Sequence, residues 1–329
     1  MRGLSLLKRM PWSVIVLAAA CMLPWVGSRY YTFLGTEIAI LGLFAVSLNL
    51  MLGTTGLVSF GHAAYFGIGA YACGILMKSG GVPFVFAAPA AALVSGAFAL
   101  LFGFFCVRLT KVYFSMLTLA FAQIVWAVCL RWNDVTGGEQ GLPSVPYPNL
   151  DWMSAIPGFD ALRISDQFYL VTLVVVALAL AVLHRLTKSP FGRVLTTIRD
   201  NRERASFIGV NVRAYELAAF VIAGAFAGLA GALYGIFSRG VFPNYVYWSK
   251  SAEVIIMTVL GGLQHFWGPV VGAFVLQLLS QQVTSHTEYW PFVLGVILLV
   301  LMFVFPGGIV GGLVAARDWW NSRRGRPDA

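Results

Sequence analysis

Apolar residues come in runs of about twenty, separated by short polar stretches, along almost the whole chain. A helix rising ~1.5 Å per residue needs about 20 residues to cross a ~30 Å hydrocarbon core, so these runs read as membrane spans. The pattern predicts about ten, within bounds of eight and eleven, at 11–28, 36–53, 62–79, 84–106, 112–130, 167–186, 214–237, 252–263, 269–284 and 289–306. The segments 252–263 and 269–284 are short and separated by Gln264-His265-Phe266-Trp267-Gly268-Pro269, which leaves open either two full spans or a broken, half-helical pair. The first run ends in Ala18-Ala19-Ala20-Cys21, which resembles a cleaved leader, but apolar sequence continues beyond it and an uncleaved span is the simpler reading. The expected fold is an all-α polytopic membrane protein. A single transmembrane domain covers 1–316, followed by a basic tail, 317–329.

Composition narrows the class further. Of 329 residues 59% are hydrophobic and 11% charged, too few charges to furnish the surface of a soluble enzyme. The net charge of +9 suggests nucleic acid only if a polar domain carries a basic patch, and none does; the expected contact is membrane lipid, not nucleic acid. The basic residues instead report orientation, because lysine and arginine are retained on the cytoplasmic side. With the N-terminus inside, ten crossings leave Arg2, Lys8, Arg9, Arg108, Lys111, the seven basic residues between 184 and 213, Arg317, Arg323, Arg324 and Arg326 in the cytoplasm. The 131–166 loop, with five acidic residues, falls outside, so both termini are expected in the cytoplasm. Its prolines and glycines make it either a turn-rich connector or part of a docking surface. The four cysteines lie in apolar stretches without CxxC spacing, and the four histidines show no metal-ligand spacing, so no metal site is expected.

Within the spans, small residues recur at helical spacing. Gly224, Gly228, Gly231 and Gly235 form one stripe and Ala63, Gly67, Ala70 and Gly74 another, serving either static helix packing or a sliding contact. Ionisable groups are scarce: Glu37, Glu216 and Glu253 fall near span starts, which argues against an ion-driven transporter. Asn49, Ser59, His62, Thr118 and Gln123 interrupt apolar stretches and are candidates for a polar translocation path, each with a helix-to-helix hydrogen bond as the alternative role. No paired carboxylates, Ser/His/Asp set or HExxH motif suggests catalysis, and no GxxxxGK[ST] loop is present to cradle ATP.

The longest polar segment beside the acidic loop is His184–Arg213. Ser189-Pro190 reads as an N-cap with proline at the first helical position, and Gly209 as a stop. Leu195, Ile198, Ala205 and Ile208 fall on one face, and Asp200 and Arg204 are spaced to pair. Such amphipathic helices either rest on anionic lipid or dock a cytoplasmic partner. Here Glu203-Arg204-Ala205-Ser206-Phe207-Ile208-Gly209 resembles the EAA-and-glycine loop of ATP-binding-cassette (ABC) importer permeases, with Arg204 in place of the usual second alanine.

The run from Leu48 to Tyr71, Thr136-Gly137-Gly138 with Gly141, Phe191-Gly192-Arg193, Ile208-Gly209-Val210-Asn211-Val212, and Val259-Leu260-Gly261-Gly262 with Trp267-Gly268-Pro269 are together similar to the branched-chain amino acid ABC permease family, in order and spacing to its M-type subunit. That resemblance covers about residues 37–309 and implies a type II importer fold in the bacterial inner membrane. It implies a second, H-type permease, two cytoplasmic ATPases that bind the ATP, and a periplasmic binding protein delivering leucine, isoleucine or valine. Urea, short amides and aromatic acids are alternative cargoes of the class. Coupling to the ATPase would fall to Gly192, Arg193, Arg199, Glu203, Ala205 and Gly209. The competing class is an ion-coupled secondary transporter or channel.

Overall fold

The computed structural model describes residues 24, 29–109, 111–149, 163–284, 289–305 and 307–323. The expected span 11–28 therefore lies outside the described residues except for Pro24, as do 150–162 of the acidic loop and the last six residues. The helices are α1 (Arg29–Leu52), α2 (His62–Lys78), α3 (Phe84–Cys106), α4 (Lys111–Arg131), the single turn α5 (Asn133–Thr136), α6 (Ile164–Lys188), α7 (Pro190–Asp200), α8 (Arg202–Phe207), α9 (Val212–Phe237), α10 (Trp248–Gly261), α11 (Gly268–Thr284), α12 (Trp290–Val304) and α13 (Gly308–Arg323). Among the described residues five helices, α1, α3, α4, α6 and α9, are long and apolar enough to cross a membrane. The chain is an all-α, multi-pass membrane protein.

Helix α9 is the hub, packed on α2, α3 and α1. It runs parallel to α2, pairing Tyr65 with Gly224 and Gly69 with Gly228, and antiparallel to α3, pairing Gly103 with Phe220 and Ala99 with Gly224. Lipid gives helices no hydrophobic drive to associate, so close backbone approach must hold them. A Cβ on Gly231 would overlap the carbonyl oxygen of Phe66, and one on Gly228 would overlap the Ser95 side chain. Ser95 Oγ lies 2.9 Å from the carbonyl oxygens of both Tyr65 and Gly224, so one hydroxyl ties three helices together.

All eight small residues of the two stripes are buried, but the stripes do not meet each other throughout. Gly67 faces Val246, Gly74 faces Leu142, Val145 and Val241, and Ala63 N–H donates to Ser251 Oγ. The second stripe thus packs partly against the chain that follows α9, partly against the 142–145 segment that precedes it, and through Ala70 on Gly235 of α9 itself, while Gly69, outside the stripe, lies against the Gly228 backbone.

Helices α10 and α11 form an antiparallel hairpin around Gly262–Trp267, with Gly261 against Gly268 and Gly272 against the Met257 carbonyl. At 14 and 17 residues they measure ~21 and ~26 Å, shorter than a ~30 Å core. Helix α13 runs across the expected boundary at 316 into the segment read as a tail, so the basic segment begins inside a helix.

The two ends of the bundle differ. At one, a two-residue ladder pairs Leu142–Pro143 (β1) with Gly240–Val241 (β2), and Lys78 Nζ donates to Pro143 O at 2.7 Å. At the other end lie the C-termini of α1, α3, α6 and α10, the starts of α2, α4, α9 and α11, and the connector α7–α8.

Candidate functional site

The connector is built by local capping. Ser189 Oγ accepts from Gly192 N–H, Asn201 Oδ1 accepts from Arg204 N–H at 2.8 Å, and Asn211 Oδ1 accepts from Ala214 N–H. Each side chain satisfies an amide that a helix start leaves free, so three helices begin at 190, 202 and 212 instead of one continuous rod. Gly209 has φ +85°, the left-handed conformation that turns the chain from α8 toward α9. Ile198, Ala205 and Val212 form a small core of their own, with Val194, Val210 and Tyr215 against it.

Two arginines strap this unit to the bundle. Arg199 Nη1 donates to Gly53 O at 2.5 Å, and its side chain lies over Gly56, whose φ of +76° and absent Cβ make room for it. Arg202 Nη2 sits 2.8 Å from Glu216 Oε2 and 3.3 Å from Val107 O, joining α8 to α9 and to the end of α3. Glu216 is 2% exposed, so this is a buried ion pair. The connector therefore grips the ends of three helices.

Of the expected coupling residues, Gly192 and Ala205 are buried, Arg199 is half-buried, and Arg193, Glu203 and Gly209 are exposed. Two local expectations are corrected. Ile208 does not join the buried face: the chain leaves the helix at Phe207, and both side chains face out, Phe207 at 87% and Ile208 at 69% exposure. Asp200 pairs at 3.4 Å with Arg199 rather than with Arg204, because Asn201 breaks the helix between them. Sequence reasoning missed Arg202 as a strap, and Phe207 and Ile208 as outward-facing groups.

The polar candidates Asn49, Ser59, His62 and Thr118 are buried in the layer beside the connector, rather than midway along the bundle. His62 Nε2 meets Ser47 Oγ at 2.9 Å and its ring stacks on Phe44, while Thr118 Oγ1 donates to Ser115 O at 2.8 Å. Among the described residues, Asn49 Oδ1, Ser59 Oγ and His62 Nδ1 have no hydrogen-bond partner. Gln123 stands apart, half-buried in α4. An open cleft of about 400 Å³ at the opposite end, lined by residues including Thr32, Thr36, Tyr147 and Phe237, contains none of these five.

A second polar cluster was not anticipated. Glu37 of α1 lies near Tyr234 of α9 and Gln277 of α11, beside Lys250 and Glu253 of α10. Lys250 Nζ lies 2.8 Å from Glu253 Oε2 and 5.5 Å from the Tyr234 ring centroid. The sequence puts Glu37 and Glu253 near span starts, yet Glu37 stands eight residues beyond Arg29, ~12 Å into α1. The available signal was a carboxylate in an apolar run with glutamines on another; nothing in the sequence states that the helices meet there.

Comparison with known proteins now fixes the class. The family model described as branched-chain amino acid transport system / permease component matches residues 30–302. The chain belongs to this permease family. It is 30% identical to the high-affinity branched-chain amino acid transport system permease protein LivM of Escherichia coli, over 93% of this chain and 76% of that protein. It is 24% identical to LivH, a permease protein of the same-named E. coli system, over 82% of this chain and 90% of LivH. It is also 28% identical, over 89% of the chain and 84% of the relative, to the autoinducer 2 import system permease protein LsrC of Salmonella typhi. No solved structure gives a significant match.

Proposed function

We propose that this permease is one membrane half of an ATP-driven importer for branched-chain or related amino acids, driven through the 190–209 connector. The observation that carries this reading is the connector itself: braced by Arg199 and Arg202 and holding Glu203, Phe207 and Ile208 outward. An unbraced loop would absorb a push, whereas a braced one passes it to the ends of α1, α3 and α9. The exposed Phe207 and Ile208 suit an apolar groove on a partner, and Glu203 suits a basic rim.

In this reading the chain crosses a bacterial inner membrane about ten times with both termini in the cytoplasm, and the 131–166 loop meets a binding protein outside. A second permease of the H type completes the path, as LivH stands beside LivM among the relatives. Two cytoplasmic ATPases bind and hydrolyse ATP, and this chain does no covalent chemistry. Their closure moves the connector and exchanges outward for inward access.

Isolation of the complex with its ATPases tests the reading. Vanadate-sensitive leucine uptake that survives collapse of the proton gradient is expected, whereas leucine uptake by the purified chain alone in liposomes would overturn it. Replacing Glu203 or Gly209 should leave insertion intact and reduce uptake about tenfold while ATP hydrolysis continues. Unchanged uptake in both variants would remove the docking role.

A further inference from the structure

The cluster around Glu37 carries an inference that rests on the amino-acid reading above. Glu37, Tyr234, Lys250, Glu253 and Gln277 come from four helices, in a chain with almost no other charge inside its spans. Removing a carboxylate from water costs several kcal/mol, so such a group inside a membrane protein faces a partner or a water-lined passage. The surroundings continue the polarity: one turn nearer the end of α11, Gln281 Oε1 accepts from Tyr30 O–H at 2.5 Å. The cluster is partly open, with the Glu253 side chain 35% and the Lys250 side chain 15% exposed.

Charges decide the complement. Lys250 is committed to Glu253 at 2.8 Å, while Glu37 stands beside the neutral Tyr234 and Gln277. Two carboxylates share one ammonium. A group presenting a cation with an anion two bonds further on would relieve this: its ammonium bridges Glu37 and Glu253, and its carboxylate takes Lys250. That is the backbone end of a free α-amino acid.

We propose that the Glu37–Lys250–Glu253 cluster is a transient binding site for the zwitterionic head of the transported amino acid, in the half of the path remote from the connector. Because the resident pair must open to admit the ligand, binding is weak, as a site that must release its cargo requires. A 2-oxo acid, lacking the ammonium, finds two carboxylates and is rejected.

The test uses the whole complex, both permeases with ATPases and binding protein, in proteoliposomes with radiolabelled leucine. Glu37→Gln is expected to lower uptake at least tenfold while the ATP hydrolysis stimulated by leucine-loaded binding protein stays within twofold, and Glu37→Asp is expected to recover part of the uptake. Wild-type uptake per ATP in both Glu37→Gln and Glu253→Gln would overturn the proposal and mark the cluster as a contact with the second permease. Should Glu37→Gln fail to assemble, Gln281→Cys serves, since it stands one turn along α11 from Gln277 and leaves Glu37, Lys250 and Glu253 in place. Its modification by a cationic methanethiosulfonate should slow at least fivefold with leucine-loaded binding protein, and an unchanged rate overturns the proposal. If the wild-type complex itself carries no leucine, isoleucine or valine, the amino-acid reading fails; intact wild-type uptake with indifferent variants sinks only the site.

Discussion

Arg199 and Arg202 sit three residues apart yet hold different parts of the molecule. Arg199 reaches a carbonyl at the end of α1, and Arg202 reaches the buried Glu216. Removing the first loses a charge-assisted hydrogen bond, whereas removing the second leaves a carboxylate buried without this partner, at a cost on the order of 3 kcal/mol. Arg199→Met should therefore yield a folded complex whose ATP hydrolysis is intact and whose uptake falls about tenfold. Arg202→Met should instead lower the amount of assembled protein. Parallel uptake assays and detergent-stable yields separate the two, and equal behaviour would show that the straps are not distinct. Arg199 stood among the coupling residues that the family resemblance implies, whereas no role was legible for Arg202, because Glu216 and Val107 lie 14 and 95 residues away. The Ser189 cap was legible for the opposite reason, since it acts on an amide three residues on; the Asn201 cap is equally local, yet the expected Asp200–Arg204 pair ran a helix through it.

Elements with a local cause were the easiest to read. The apolar run 84–106 is the helix Phe84–Cys106, because Pro83 precedes it and polar residues follow it. The helix Ile164–Lys188 outruns its apolar window of 167–186 at both ends, since a helix continues into polar residues that reach the headgroups. Which faces meet is a matter between helices, and there the spacing of small residues gave half the answer. It found Gly228 and Gly231 but not Gly69, which lies opposite Gly228. The α9 crossing gives a contrast within one chain. Gly231→Leu must force the Phe66 carbonyl aside, so assembled protein should be lost, whereas among the described residues nothing beyond its own helix lies within 4 Å of the missing Cβ of Gly295 in α12. Gly295→Leu should leave yield and uptake within twofold of wild type, as fluorescence-detected size exclusion and transport assays would show. Equal loss from both would mean that α12 is covered in the assembly and that crowding at α9 is not special.

For the whole molecule, the asymmetry between the two ends matters more than any single contact. Arg108, Arg185, Lys188, Arg193, Arg199, Arg202, Arg204 and Arg213 gather at the connector end, while Asp134 and Glu139 stand in the described part of the acidic loop, beside the β1–β2 ladder. In the proposed reading, charge retention during insertion puts the first end in the cytoplasm. The ladder, Lys78 and Arg239 over the Tyr147 ring brace the outer end, so both faces that would meet soluble partners are firm, and the cluster at Glu37 lies between the outer face and the core. This layout is testable without transport. In intact cells a membrane-impermeant maleimide should label Glu139→Cys and leave Phe207→Cys unlabelled, and in inside-out vesicles the labels should exchange. Phe207 is 87% exposed in the isolated chain, so adding the ATPases to those vesicles should protect Phe207→Cys at least fivefold if its ring enters a partner's groove. Labelling of Phe207→Cys from outside would reverse the orientation and remove the connector from any cytoplasmic engine. Correct sidedness without protection would keep the orientation and move the docking contact away from Phe207, to the exposed Arg193 and Glu203 on the same unit.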